Sequence, residues 1–463
     1  MVFSSLVFLW LFMPIVLGLY FLSQERYRNV LLLIASLIFY AWGEPIYLSV
    51  MVISIFVNYI CGLLIGGKER KNKAALVIGI IINLSLLGVF KYSGFVIDNI
   101  NAMTGLGLEV RKLALPIGIS FYTFQSISYL VDIYRGVCQP QKNIIKMGLF
   151  ISFFPQLIAG PILKYYDIAA QIDSRKTSWA LFNEGATRFL IGLGKKVIIA
   201  NTMAVTADEV FAMDMEGVST QIAWIGLFAY YFQVYFDFSG YSDMAIGLGR
   251  MFGFKINENF NHPYIASSIQ DLWRRWHISL ATWFKEYVYI PLGGSRHGAL
   301  NTYRNLMIVF FLTGLWHGAD WTFVLWGVWN GLFIILEKII PIEKFLHWRL
   351  IQVIYVNIVF LCGLVFFRSE TMSQVWEYFD HLLIPYRLDM ATTLLSKEYI
   401  LMAIIGFVCC GMGAGVWHWF PLKKEWKTRI VKVCTPVFCY VTAYFSLLML
   451  ASNTYNPFIY FRF

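Results

Sequence analysis

Apolar runs long enough to cross a lipid bilayer recur along the whole chain, and no other feature restricts its fold so severely. Ser4 to Leu22, Ile46 to Ile65, Ala74 to Phe90 and Tyr355 to Phe367 are clear instances, separated by short polar stretches. A spanning helix takes roughly 20 mostly apolar residues, so the sequence offers about eleven to thirteen spans. The expected fold class is an all-α integral membrane protein. Charge agrees: 14% of the 463 residues are charged, against ~25% in a soluble domain. The first run lacks a basic start and an Ala-x-Ala-like cleavage site, so it reads as a first membrane helix rather than a leader.

The formal net charge is +10. No basic domain exists that could hold a duplex, and nucleic acid is not an expected partner. The excess of Lys and Arg fits basic loops on the cytoplasmic side of a membrane. Arg26 and Arg28 follow the first run, and a basic stretch from Lys68 to Lys73 follows the third, whereas the turn at Glu44 carries no base. Asp208, Glu209, Asp214 and Glu216 read as an acidic loop outside. Lys423, Lys424, Lys427, Arg429 and Lys432 read as a basic loop inside. This pattern places both termini outside. The seven cysteines are scattered, mostly in apolar runs, with no metal-ligand spacing and no disulfide framework.

No linker and no internal repeat stands out, so residues 1–451 read as one membrane domain and 452–463 as an external C-terminal segment. Lys255 to Arg304 is too polar for a span and reads as helices lying at, or dipping into, the cytoplasmic face.

Polar groups are costly in hydrocarbon, so clusters of them inside apolar runs direct attention to cavities. Asp237 and Asp243 interrupt an aromatic helix in which Gly240 offers a bend. They either wall a polar chamber or pair with Arg or Tyr on neighbouring helices. Pro155 and Pro161 bracket Gly160 in a stretch that cannot stay helical. It reads as a re-entrant segment beside a tunnel or as a kinked helix. Asp271-Leu-Trp-Arg-Arg-Trp-His277 sets a histidine among Trp273, Arg274, Arg275 and Trp276. Gly314-Leu-Trp-His-Gly-Ala-Asp-Trp321 sets His317 beside Trp316 within an apolar helix. A neutral imidazole can take a proton from a hydroxyl near pH 7, which suits His317 to general-base work; an interhelical hydrogen bond is the structural alternative. Asp320, three residues on, is placed to orient it, and small Gly318 would let a substrate approach. There is no His-x-x-x-His or Cys-x-x-Cys pair and no Walker loop, so no metal and no tightly bound cofactor is expected.

Pro116-Ile-Gly-Ile-Ser-Phe-Tyr-Thr-Phe-Gln125, Leu157-Ile-Ala-Gly-Pro161, Asp237-Phe-Ser-Gly-Tyr-Ser-Asp243, Trp273-Arg-Arg-Trp-His277 and Leu315-Trp-His-Gly318 occur in this order. Together they resemble bacterial membrane-bound O-acyltransferases (MBOAT proteins) of the alginate and peptidoglycan O-acetylation type, over roughly Met1 to Lys338. The resemblance implies a ring of helices around a tunnel, with re-entrant or interfacial helices. It implies a cytoplasmic acyl thioester donor, acetyl-CoA, and an external acceptor, in a bacterial cytoplasmic membrane. His317 matches the family histidine at the narrow point of the tunnel, and His277 the second histidine of this branch. With Trp273, Arg274 and Arg275, His277 would hold the donor's end; the arginines would equally serve as interfacial anchors.

The chain closes on Asn456-Pro-Phe-Ile-Tyr-Phe-Arg-Phe463, a stretch too apolar to leave in water and too short to span. It is expected to be buried, or to sit as an aromatic anchor at the interface. Phe458-x-Tyr460-x-x-Phe463 resembles the C-terminal motif of the small subunit in teichoic-acid D-alanylation. That likeness implies that Tyr460 carries the acyl group to an external serine-type (SGNH-like) O-acetyltransferase, with His317 as its base. D-alanine from a carrier protein is the variant of the same mechanism. A transporter or flippase without covalent chemistry, and a non-catalytic assembly subunit, are the readings of other classes.

Overall fold

The computed structural model describes residues 1–66, 71–109, 113–385, 394–412, 424–452 and 455–459. Among the described residues every regular element is helical. In chain order the helices used below are α1 (Phe8–Leu22), α2 (Arg28–Gly43), α3 (Leu48–Ile65), α4 (Lys73–Thr104), α5 (Ile119–Arg135), α6 (Ile144–Ser152) and α7 (Phe154–Leu157). They continue with α8 (Trp179–Ala212), α9 (Thr220–Met251), α10 (Ile269–Arg275), α11 (Ile278–Phe284), α12 (Ala299–His317), α13 (Trp321–Ile339) and α14 (Arg349–Arg368). The last is α15 (Lys424–Ser452).

Among the described residues six helical stretches are long and apolar enough to cross a membrane: α3, α4, α8, α13, α14 and Val433–Ser452 of α15. The other apolar runs of the sequence fall on shorter helices such as α1, or on helices such as α9 whose buried polar residues lower their hydropathy. Burial on α3 is inverted relative to a soluble helix. Ile53, Phe56 and Ile60 are exposed, while Ser54 and Asn58 are buried. Such a surface suits lipid, not water. The chain is a multi-pass membrane protein.

Contacts divide the chain into two compact units. The first comprises Met1–Phe189 and Met244–Asn257. Its helices α3 and α4 are joined by a reciprocal amide pair, Asn58 Nδ2 to Asn83 Oδ1 at 3.1 Å and Asn83 Nδ2 to Asn58 Oδ1 at 2.8 Å. This satisfies two polar side chains at once, as burial requires. The proline segment is broken as its sequence demands: α6 stops before Phe153, α7 lasts four residues, and an irregular stretch follows. Phe153, Leu157, Ala159 and Leu163 are all buried. The freed Phe154 amide donates to Ser36 Oγ at 3.1 Å, which is how irregular backbone becomes tolerable there.

The second unit comprises Leu190–Asp243 and Glu258–Phe463. Its tightest pair is the α12–α13 hairpin. A Cβ on Gly327 would lie 2.2 Å from Phe310 O, and one on Gly314 2.4 Å from Phe323 O. Two expectations change here. Asp208 and Glu209 belong to α8 rather than to a loop, and Lys424, Lys427, Arg429 and Lys432 belong to α15 rather than to one, since each charged stretch is continuous with an apolar helix; Lys423 lies outside the described residues. Gly240 makes no break: α9 runs unbroken for 32 residues. The missing side chain instead admits the neighbouring backbone, because a Cβ there would lie 2.7 Å from Gly192 O and 3.0 Å from Lys196 N.

Gly240→Ala should therefore destabilise the protein by about 1–3 kcal/mol, as overpacking against backbone does. Gly88→Ala, where a Cβ meets nothing within 4 Å, should be neutral. Thermal unfolding in detergent checks both; equal midpoints for the two variants would contradict the close approach.

Candidate active site

The α8 helix carries two adjacent lysines at the start of a π-helical turn, Lys195–Ala200. Each meets an aspartate of α9. Lys195 Nζ lies 2.6 Å from Asp243 Oδ2, and Lys196 Nζ 2.8 Å from Asp237 Oδ1. Asp237, Gly240 and Asp243 are three residues apart and share a helix face, so both ion pairs flank the glycine contact. Each aspartate thus has a lysine of α8 as a partner, a pairing on a neighbouring helix with a residue type the sequence reading did not name. A single interhelical lysine–aspartate pair at this depth is stable only with its remaining hydrogen-bonding capacity filled, and removing one partner typically costs about 3–5 kcal/mol.

The C-terminal segment supplies what the pair lacks. Lys196 Nζ also donates to Asn201 Oδ1 at 2.8 Å and to Pro457 O. Ile459 N donates to Asp237 Oδ2 at 2.8 Å. Upstream, Asn201 Nδ2 donates to Asn456 Oδ1 at 3.1 Å, and the Tyr455 hydroxyl bonds Asp208, whose other oxygen accepts from Arg368 at 2.8 Å. Phe458 stacks on Tyr241 with ring centroids 4.7 Å apart. Phe458 and Ile459 are buried. Tyr460 and Phe463 lie outside the described residues.

Ile459 also lines the cavity that holds His317. Phe238, Trp276, Trp326 and Phe367 are among its other walls, and its volume of about 20 Å³ admits roughly one water. His317 is the last residue of α12, with Trp316, Trp326 and Phe367 presenting their rings at 4.9, 4.9 and 5.1 Å between centroids. Trp273 packs edge-on against Trp326 at 5.5 Å. Two sequence expectations about His317 are corrected. Asp320 does not orient it: its carboxylate caps α13, accepting from Thr322 N at 3.0 Å. Gly318 gives no access to a substrate, because the Phe323 ring fills that space, 2.1 Å from where a Cβ would be.

His277 sits at the turn between α10 and α11, in the left-handed region at φ 45°. Its Nδ1 lies 3.1 Å from Asn259 Oδ1. That oxygen also receives the backbone N–H and the hydroxyl of Ser279, at 3.2 and 2.9 Å, which fixes the amide's orientation. The Asn259 NH₂ donates to Ser242 Oγ at 3.1 Å. Because Asn259 offers an acceptor, Nδ1 carries the proton and Nε2 keeps its lone pair. Among the described residues Nε2 has no hydrogen-bond partner. His277 and His317 flank one indole, with ring centroids 5.9 and 4.9 Å from that of Trp316. Phe238 meets His277 edge-on at 4.7 Å.

The structure thus brings His277, His317, Trp273, Trp276, Trp316, Asp237 and the C-terminal segment into one aromatic site. Arg274 is exposed, and Arg275 pairs with Asp271 at 2.9 Å, so neither lines the cavity. Pro155, Gly160 and Pro161 belong to the first unit and shape its broken segment. Sequence reasoning missed Lys196, Asn201 and Asn259. Two lysines within an apolar helix were a usable signal for the first; nothing in the sequence marks Asn259.

Burial pushes the His277 imidazole down to about 3 from 6.5. Unfolded His277 therefore binds a proton in a window where folded His277 does not. Its contribution to stability is complete above pH 6.5 and is lost as pH falls toward 3. Thermal unfolding across this range should show that loss, and His277→Gln should flatten it; an identical pH profile in the variant would contradict the assignment.

Residues 140–375 match the family model for membrane-bound O-acyltransferases. A probable alginate O-acetylase of Pseudomonas putida is 41% identical over 488 aligned positions, covering 100% of this chain and 100% of the relative. One from Pseudomonas syringae is 50% identical over 380 residues, covering 80% of this chain and 73% of that one. A peptidoglycan O-acetyltransferase of Helicobacter pylori is 38% identical over 418 residues, covering 81% and 78%. An enzyme rather than a flippase or an inert subunit follows, and the chain belongs to the membrane-bound O-acyltransferase family.

Proposed function

We propose that the protein moves an acetyl group from a cytosolic thioester, acetyl-CoA, across the cytoplasmic membrane to an external partner that O-acetylates a polysaccharide of the cell envelope. The O-acetylating relatives favour acetyl over D-alanyl as the group carried. The observation that carries the relay reading is the position of Ile459, whose side chain lines the His317 cavity. Tyr460 is covalently next to it, one residue step along the chain.

In this reading His317 takes the phenolic proton of Tyr460 as the phenol oxygen attacks the thioester carbonyl. The C–O bond forms, the C–S bond breaks, and the proton passes to the departing thiolate. The aromatic walls exclude the water that would otherwise hydrolyse the ester. His277, neutral with a bare Nε2, accepts a hydrogen bond at the donor's end. On the external face a serine hydroxyl of an SGNH-like partner takes the acetyl from the phenol, which recovers a proton. Both termini face outward in this arrangement, an orientation favoured by the basic residues after the first and third apolar runs.

After incubation with labelled acetyl-CoA, peptide mass spectrometry should find label on Tyr460 in the wild type and none in His317→Ala. A wild-type protein that acetylates its partner with no label on the segment would replace the relay by direct transfer.

A further inference from the structure

Lys196 has three N–H donors, and three acceptors face it: Asp237 Oδ1, Asn201 Oδ1 and Pro457 O. Asp237 divides its two oxygens between Lys196 and the amide of Ile459. Each side chain of the pair is 2% exposed. Lys196 therefore has its third acceptor, and Asp237 Oδ2 its hydrogen bond, only when the C-terminal segment is seated. What they hold is main chain, not side chain: a carbonyl at one residue and an N–H two residues later. Such a grip is blind to the side chains but fixes which residue comes next. Phe458, between the two gripped positions, turns aside to stack on Tyr241, and Ile459 enters the cavity of His317.

We infer that Lys196 and Asp237 are positioning residues for the acyl relay, a two-point clamp on the backbone of Pro457 and Ile459 that sets the register in which the following residue reaches His317. This rests on the relay reading above. The clamp acts on the segment rather than on the thioester, so its loss misplaces the acceptor without touching the base. A displacement of about one ångström at a reacting centre can cost about 100-fold in rate.

Three full-length variants test this in the same membrane preparation. A glycine inserted between Ser452 and Asn453, ahead of every grip, should leave labelling of Tyr460 within about threefold of wild type, whereas one inserted between Ile459 and Tyr460 should cut it by about 100-fold. The double variant Lys196→Met with Asp237→Leu removes the charges together and so avoids an orphaned ion. It should retain its unfolding midpoint, lose labelling about 100-fold and let the Ile459 amide exchange its hydrogen rapidly, while Lys196→Arg alone should keep part of the labelling. Slow exchange at Ile459 in the double variant would overturn the clamp. Fast exchange with undiminished labelling of Tyr460 would overturn the positioning role and leave the relay standing. Equal loss from the two insertions would show that register is not what the pair controls. An absence of label in the wild type itself, with exchange behaving as expected, would locate the failure in the relay reading rather than in the grip.

Discussion

The buried ion pair between Lys196 and Asp237 is the constraint on which the second unit turns. A lysine and an aspartate shielded from water are not stabilising by themselves; the arrangement persists because the ammonium is also hydrogen-bonded by Asn201 and Pro457 and the carboxylate by the Ile459 amide. That requirement acts in two directions. Along the helices it brings α8 and α9 together, with Gly240 allowing the backbones to meet and Lys195–Asp243 repeating the pairing on the other side of that glycine. Toward the C-terminal segment it recruits the Pro457 carbonyl and the Ile459 amide. The same helix register then decides the chemistry. Phe238 follows Asp237 in sequence, so a rotation of α9 that satisfies the charge also places a ring against His277 and into the cavity of His317.

The two histidines are prepared differently. His277 is set by hydrogen bonds: Asn259 dictates its tautomer, and Ser279 dictates the orientation of Asn259. His317 is packed among aromatic rings, those of Trp316, Trp326 and Phe367 among them, with a tight α12–α13 hairpin behind. Trp316 touches both imidazoles and couples the two halves sterically. For a reaction that makes and breaks esters this is a favourable medium. A neutral imidazole is a competent base, and apolar walls leave no bulk water to compete for the acyl group.

Much of this was legible in the chain. The helical membrane fold follows from apolar runs, and the broken α6–α7 segment follows from Pro155 and Pro161, because backbone physics alone forces both. His317 and His277 stood out because polar groups in apolar surroundings are rare. The roles of their neighbours were harder to read. Asp320 and Gly318 were assigned by proximity in sequence, but a helix terminus must satisfy its own N–H groups first, and Asp320 answers that need. Gly240 was read as allowing a bend, when its use is close approach. The partner of Asp237 lies 41 residues earlier in the chain, on a helix whose π-turn no periodicity announces. Pairings of that kind are tertiary facts, set by which helices pack, and one sequence does not carry them.

The size of the chamber bears on why a relay would exist at all. With Ile459 seated, the space beside His317 holds about one water molecule. A sugar hydroxyl on a polymer could not enter such a volume without dismantling the aromatic walls that keep the site dry. A side chain carried on a thin strand of polypeptide can, because its backbone groups are satisfied on arrival by Lys196 and Asp237. Under the proposed relay, dryness and access would be separated: a closed apolar chamber would serve the ester-forming step, and encounter with a bulky polysaccharide would be left to the outside. On this view the C-terminal segment is the part of the wall that is allowed to react, and the ion pair that seats it preserves both the seal and the geometry.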